Sequence, residues 1–185
     1  MKYPASQWLP FYLPLALIWG CSFLFIKVGL ESFTPIGVVF GRVLLGALTL
    51  IVITVVSRSS LPPRWSWKYL FVASLLWVCV PWTLFAFAQT QVSSALAGII
   101  NALTPLMTLL AILLAFRTEK PTRGRIGGLI LGFIGMLVVV GFWQPLALDN
   151  LWAIGAMVLA VSCYGVAFPF ARRFLTGPQA QAPIP

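Results

Sequence analysis

Six apolar segments, each long enough to cross a lipid bilayer, restrict what this chain can fold into. They cover residues 11–30, 36–56, 69–88, 92–116, 126–143 and 151–171. A transmembrane helix needs about 20 predominantly apolar residues. None of the segments shows the polar and apolar alternation of membrane-barrel strands. The sequence therefore predicts an all-α integral membrane protein with six transmembrane helices in the lipid bilayer.

The few charged residues support this prediction and indicate the orientation of the chain. Only 8% of the 185 residues are charged, whereas soluble domains have about 25%. The net charge of +9 does not indicate a nucleic-acid partner, because most basic residues lie in short connections and tails. The connections at 89–91 and 144–150 contain no Lys or Arg. The positive-inside rule therefore predicts a multi-pass protein of the inner (cytoplasmic) membrane, with both termini in the cytoplasm.

The residue types that carry enzymatic chemistry are scarce. The chain has no His and three acids, Glu31, Glu119 and Asp149, which lie at segment ends or in connections. Membrane-embedded hydrolysis normally needs a general base or metal ligands. The three cysteines have no paired spacing, which indicates neither a disulfide nor a metal site. We therefore expect no enzyme, no metal and no cofactor, and transport is the natural alternative.

The fourth segment has polar residues and a proline at its centre. Pro105 cannot donate to the carbonyl of Asn101, so a free carbonyl and the Asn101 amide are expected about 14 Å into the bilayer. A small and polar stripe follows one face of this helix, with Thr104 beside it: Ser94, Gly98, Asn101, Pro105 and Thr108. The stripe is a helix-packing seam, or a seam that also forms a cavity wall. In the second case, Asn101, Thr104 and Pro105 line a substrate path.

Two cations lie within the apolar segments. Lys27 and Arg42 are expected about 5 Å and about 9 Å from the same membrane face, at 1.5 Å per residue. Together they could attract an anionic group. Lys27 could instead extend to the interface or pair with Glu31 one turn later. Arg42 is deeper and has no acid at helical spacing, so an inward position with a partner is expected.

Other mid-segment residues are further candidates for substrate contact, namely Trp19, Ser22 and Tyr164. For the two aromatic residues, packing in the bundle core is an equally valid interpretation. Pro81 and Pro169 are expected to break the third and sixth helices. A ladder of Gly124, Gly128 and Gly132 predicts close helix packing on the fifth.

Four stretches in this order resemble the first repeat of EamA-type carriers in the drug/metabolite transporter superfamily. They are "LALIWGCSFLFIKVGLESFTP", "FGRVLLGALTL", "ALAGIINALTPLMTLLAILLAF" and "GGLILGFIGMLVVVG". The resemblance covers residues 10 to about 142. The connection "RTEKPTR" departs from it, since Thr118 stands where the family usually has Gly before Glu.

The resemblance implies ten helices built as two inverted five-helix repeats around a substrate cavity. It also implies transport of small metabolites such as amino acids. On this basis residues 1–145 form the first repeat, 146–173 form the sixth helix and the start of a second repeat, and 174–185 form a cytoplasmic tail. When the first helix is aligned with the sixth at an offset of 145 residues, four positions carry identical or similar residues. The pairs are Trp19 and Tyr164, Gly20 and Gly165, Phe23 and Phe168, and Lys27 and Arg172.

Helices seven to ten of such a carrier are not found in the sequence, which is therefore interpreted as a truncated carrier. Three interpretations of function remain open. The chain is a fragment of a metabolite exporter that needs a partner half, a homodimeric small-molecule or drug efflux carrier, or a non-transporting membrane subunit. A small-molecule substrate and a homodimer or second-half partner are the expected partners besides the bilayer.

Overall fold

The computed structural model describes residues 5–58, 61–116, 122–140 and 151–176, and no strand occurs among them. Eight α-helices follow one another in these ranges: α1 Ala5–Gly29, α2 Pro35–Val56, α3 Trp67–Ser74, α4 Val80–Ala88, α5 Ser94–Asn101, α6 Thr104–Ala111, α7 Arg123–Val140 and α8 Leu151–Ala171. A 3₁₀ turn precedes α3, and π-helical segments cover Leu75–Cys79, Ile112–Phe116 and Arg172–Thr176.

Each predicted apolar segment coincides with helix, which confirms the all-α membrane fold. Five helical stretches are long and apolar enough to cross a membrane: Leu9–Gly29, Pro35–Val56, Arg64–Ala88, Ser94–Leu114 and Leu151–Thr176. The fifth predicted segment corresponds to α7, which contains the shorter apolar stretch Ile126–Gly135. Its predicted end at residue 143 lies outside the described residues.

Local signals set the starts of two helices at the same end of the bundle. The Thr34 side chain accepts a hydrogen bond from the Gly37 amide at 3.1 Å, and Pro35 occupies the first turn of α2. The Ser93 side chain accepts from the Leu96 amide at 3.2 Å and starts α5 in the same way. Both caps satisfy amides that have no partner within the helix.

The core forms around α8, which packs against α4, α5 and α6. Its fully buried residues are mostly small, and Met157 and Val161 fill the space between them. In contrast, α2 has no buried residue, and its apolar side chains are suited to lipid. The ladder of Gly124, Gly128 and Gly132 has no atom within 4 Å of an added Cβ. Close packing at this ladder is therefore not seen in the described part of the chain.

A close helix contact involves Gly165 of α8. A Cβ atom added there would lie 2.6 Å from the Met107 carbonyl carbon and 2.8 Å from its oxygen. Those atoms belong to the backbone of α6, so a side-chain rotation cannot relieve the overlap. Only glycine permits α8 to approach α6 this closely, in the manner of small-residue interfaces in membranes.

The fourth span is divided in two at the predicted place. Helix α5 ends at Asn101 and α6 begins at Thr104. Between them the Ala102 and Leu103 amides donate to the carbonyls three residues earlier, at 3.0 Å each. The Asn101 carbonyl does not remain free as expected, because the Thr104 hydroxyl donates to it at 2.7 Å. The threonine thereby replaces the donor that Pro105 lacks.

The two other prolines behave differently from each other. Pro81 stands in the first turn of α4, directly after the π-helical segment, where the Val80 amide bonds the Leu75 carbonyl five residues back. The third span is thus interrupted, as predicted. Pro169 lies inside α8, which continues to Ala171. The predicted break there is wrong: Pro169 supplies no amide donor to the Gly165 carbonyl, yet the helix runs on through it into the π-helical segment Arg172–Thr176.

We expect Gly165→Ala to lower the stability of the fold by about 1–3 kcal/mol, the usual cost of overpacking. Thermal unfolding of the detergent-solubilised chain measures this. Gly155→Ala is the matched control on the same helix, because an added Cβ at Gly155 meets no atom within 4 Å. Equal melting temperatures of the two variants would contradict the close approach.

We also expect Thr104→Val to destabilise the chain by about 1 kcal/mol, because it leaves the Asn101 carbonyl without a donor in the membrane. The cost should largely vanish when Pro105→Ala supplies a new amide donor to that carbonyl, which a double-mutant cycle detects. Thr49→Val is the control, since the Thr49 hydroxyl donates at 2.8 Å to Leu45 within an uninterrupted helix. If the effects of Thr104→Val and Pro105→Ala on stability are additive, the Thr104 hydroxyl does not replace the amide donor that Pro105 lacks.

Candidate functional site

Three adjoining cavities follow the interface between α1, α4, α6 and α8. We name them the Arg42, Asn101 and Thr108 cavities, with volumes of about 170, 470 and 370 Å³. The first two share four lining residues: Trp19, Trp82, Asn101 and Tyr164. The second and third share Thr104, Pro105 and Phe168. Shared walls place the three cavities next to one another in a row, and the Asn101 cavity is within the ~300–1,000 Å³ typical of small-molecule sites.

Arg42 forms the polar end of this row. A guanidinium nitrogen of Arg42 donates to the Ser22 hydroxyl at 2.8 Å. The guanidinium carbon also lies 4.3 Å from the centre of the Trp82 ring. Trp82 and Tyr164 line the same cavity beside Arg42. Residues of α1, α2, α4 and α8 therefore meet at one cation, and its planar group is held in a fixed orientation.

The break between α5 and α6 contributes to the walls of the row. Asn101 lines the Arg42 and Asn101 cavities, whereas Thr104 and Pro105 line the Asn101 and Thr108 cavities. Gly98, one turn before Asn101, packs against Phe23 of α1, where an added Cβ would be in ordinary contact with the ring at 3.7 Å. The polar stripe thus packs against a neighbouring helix at one position and faces cavity space at others.

Aromatic rings form most of the remaining wall of the Asn101 cavity. Trp77 and Phe168 meet edge to face with ring centres 5.1 Å apart, and Trp19, Trp82 and Tyr164 complete the lining. Trp77, Trp82 and Phe168 are not among the site residues predicted from the sequence. The mid-span position of Trp77 and Trp82 was an available signal, since tryptophans in membrane helices are enriched at the interfaces.

The Lys27 side chain reaches the connection between α4 and α5 rather than Glu31. Its ammonium group donates to the backbone carbonyls of Gln89 at 2.7 Å and Val92 at 3.2 Å. These carbonyls belong to the connection between α4 and α5, so Lys27 joins α1 to that connection. Neither acceptor is Glu31, and Lys27 does not line the Arg42 cavity. The ammonium is drawn to backbone oxygens that no longer have helical partners.

Seven of the eight predicted site residues line the adjoining cavities, and Lys27 does not. The seven are Trp19, Ser22, Arg42, Asn101, Thr104, Pro105 and Tyr164. Within the described ranges, no group of three His, Cys, Asp or Glu residues could hold a metal ion, and Glu31 is the only acid. The arrangement offers one fixed cation, an amide and apolar rings, which together suit a small molecule with an anionic group and an apolar body.

Comparison with known proteins gives the same picture of a membrane carrier. The chain is 26% identical to Protein PagO of Salmonella typhimurium over 160 residues, which are 85% of this chain and 52% of PagO. It is 22% identical over 174 residues to an uncharacterized transporter of Archaeoglobus fulgidus, covering 92% of this chain and 59% of that protein. The chain thus spans about half the length of these curated relatives. No solved structure matches it.

The family assignment rests on most of the chain. Residues 7–141 match the EamA-like transporter family, and this range covers most of α1 and all of α2 to α7, with the polar break and Arg42. Members of this family are transporters and not enzymes, in agreement with the residues that line the cavities. Together with its apolar helices, this match shows that the chain is a multi-pass membrane protein that belongs to the EamA-like transporter family.

Proposed function

We propose that the row of adjoining cavities is one wall of the substrate path of a transporter for small metabolites such as amino acids. The observation that carries this proposal is Arg42, a cation within a membrane span whose guanidinium faces a cavity rather than an acid. Ser22 and Trp82 hold it at 2.8 Å and 4.3 Å. Ionisable groups inside membranes mark substrate pathways because they are costly to keep there without a role.

Arg42 supplies donors that suit a carboxylate. A guanidinium has five N–H donors in a planar fork, and the bond to Ser22 uses one of them. Hydrogen bonds to charged groups are worth about 1.5–3 kcal/mol. A carboxylate placed in the Arg42 cavity would therefore gain affinity, and it would neutralise the cation at membrane depth.

The Asn101 cavity suits the body of the same molecule. Its wall combines aromatic rings with the Asn101 amide and the Thr104 side chain. Rings present large apolar faces at low conformational cost, and single polar groups among them fix the orientation of a ligand. Since the two cavities share four residues, one small molecule can reach both.

We further propose that additional helices close this path, supplied by a second half or by another copy of the chain. Trp19 supports this, because it lines two cavities and yet its side chain is 61% exposed. The curated relatives are almost twice as long as the matched stretch. We place the transporter in the inner membrane with both termini in the cytoplasm, on the basis of its loop charges.

The test of the site is binding of an anionic ring compound by the full chain. Phenylacetate should change the tryptophan fluorescence of the detergent-solubilised protein, whereas phenethylamine, with a cationic group on the same ring, should not. Arg42→Gln should weaken phenylacetate binding roughly tenfold to a hundredfold, the value of one or more charged hydrogen bonds. The affinity of Arg42→Lys for phenylacetate should lie between those of the unchanged chain and Arg42→Gln, because lysine keeps the positive charge but lacks the planar set of N–H donors.

Arg58→Gln is the matched control, since Arg58 is exposed beyond the end of α2. It should leave phenylacetate binding unchanged. The transport function is tested in everted membrane vesicles that contain the chain, where labelled amino acids should accumulate faster than in vesicles with Arg42→Gln. Equal binding of both ring compounds, or equal binding by Arg42→Gln, contradicts the proposed site. Equal accumulation contradicts transport through it.

The proposed orientation has a separate test in a background without native cysteines. Thr90 lies between α4 and α5 and Leu61 between α2 and α3, and both are exposed. Thr90→Cys should react with a membrane-impermeant maleimide added to intact cells, and Leu61→Cys should react only after the membrane is opened. Labelling of Leu61→Cys in intact cells would reverse the proposed topology.

A further inference from the structure

A second group of side chains joins the start of α3 to the π-helical segment after α8. It does not line the three cavities. It consists of aromatic and basic residues: Trp65, Lys68, Tyr69, Phe170, Arg173 and Phe174. We name it the basic aromatic cluster. Its centre is the pair Tyr69 and Phe174, whose rings are parallel within 8° with centres 5.1 Å apart.

Each ring of this pair has a cation over it. The Lys68 ammonium lies 5.0 Å from the centre of the Tyr69 ring. The Arg173 guanidinium carbon lies 5.4 Å from the centre of the Phe174 ring. Cation–π attraction and the half-buried rings hold both basic groups against one platform, while Lys68 and Arg173 themselves remain exposed. The cluster thus presents two positioned positive charges outward.

No acid in the described part of the chain is near enough to neutralise these charges. The single acid there is Glu31, which precedes α2, whereas the cluster follows α2 in the chain. The 22 residues of α2 separate these positions by about 33 Å, at 1.5 Å per residue. Glu31 and the cluster therefore lie at opposite faces of the membrane, and the ligand for the two cations has to come from outside these residues.

The position of the cluster indicates the ligand. Tyr69 lies near the beginning of the third membrane span and Phe174 near the end of the last one, where lipid headgroups meet the hydrocarbon core. Arg64 and Trp67, from the same stretch, line a cavity of about 460 Å³. Aromatic rings favour this depth, and basic side chains next to membrane spans attract anionic lipid.

We propose that the basic aromatic cluster binds anionic phospholipid headgroups at Lys68 and Arg173, with the lipid chains along the adjoining helix surfaces. The stack of Tyr69 on Phe174 ties α3 to the end of α8, so the bound lipid lies beside this junction. This site is independent of the substrate path, because no residue of the cluster lines the three adjoining cavities.

The test is lipid retention by the purified full chain in native mass spectrometry. The delipidated protein is incubated with equal amounts of phosphatidylglycerol and phosphatidylcholine, and each bound lipid is counted. The chain should retain phosphatidylglycerol in preference to phosphatidylcholine. Lys68→Gln with Arg173→Gln should lower this preference roughly twenty-fivefold, about fivefold for each basic side chain near the lipid surface.

Arg58→Gln is the control, because it removes one exposed positive charge on the same membrane face outside the cluster. Lys68→Arg and Arg173→Lys should keep the preference, and circular dichroism with size-exclusion chromatography verifies folding. If the double variant does not fold, the lipid preference is measured with Lys68→Gln and Arg173→Gln as single variants. An unchanged preference in the Gln variants, or a loss as large in Arg58→Gln, overturns the proposal. So does equal competition by glycerophosphoglycerol, which has the phosphate without acyl chains.

Discussion

The contact between Gly165 and the backbone of Met107 is the constraint on which the rest of the structure depends. It brings α8 against α6 at a distance that no other residue type permits, since an added Cβ would lie 2.6 Å from the Met107 carbonyl carbon. Tyr164 precedes Gly165 directly, and Phe168 follows it by one turn. Fixing α8 at this point therefore turns both rings toward Asn101 and Trp77, where they complete the wall of the Asn101 cavity.

Backbone carbonyls at two irregular points of the chain are satisfied locally, and this shapes the site. At the break in the fourth span, the Thr104 hydroxyl bonds the carbonyl that Pro105 leaves without a donor. At the connection between α4 and α5, the Lys27 ammonium bonds two carbonyls. Irregular backbone is tolerated at membrane depth where such donors or a polar cavity are present. The break can consequently form a cavity wall without exposing a bare carbonyl to lipid.

Positive charge has two distinct roles in the molecule. Arg42 is inside the bundle, where Ser22 and Trp82 hold the guanidinium toward the row of cavities. Lys68 and Arg173 are exposed near the ends of two membrane spans, where each lies beside one of two stacked rings. In both places an aromatic ring orients the cation. A ring can do this without neutralising the charge, so the cation remains able to attract an anion.

The sequence alone determined the number and places of the apolar segments, the break between Asn101 and Pro105 and the unusual depth of Arg42. These features follow from local rules, namely the length needed to cross the bilayer, the missing amide of proline and the cost of a charge in lipid. Only the tertiary structure decided that α8 occupies the centre, that Trp77, Trp82 and Phe168 line the cavities and that Lys27 bonds backbone carbonyls. Those outcomes depend on how each helix is rotated about its axis. A helix that is apolar on every side, as α8 is, carries no pattern that reveals its rotation, and the close approach at Gly165 sets it instead.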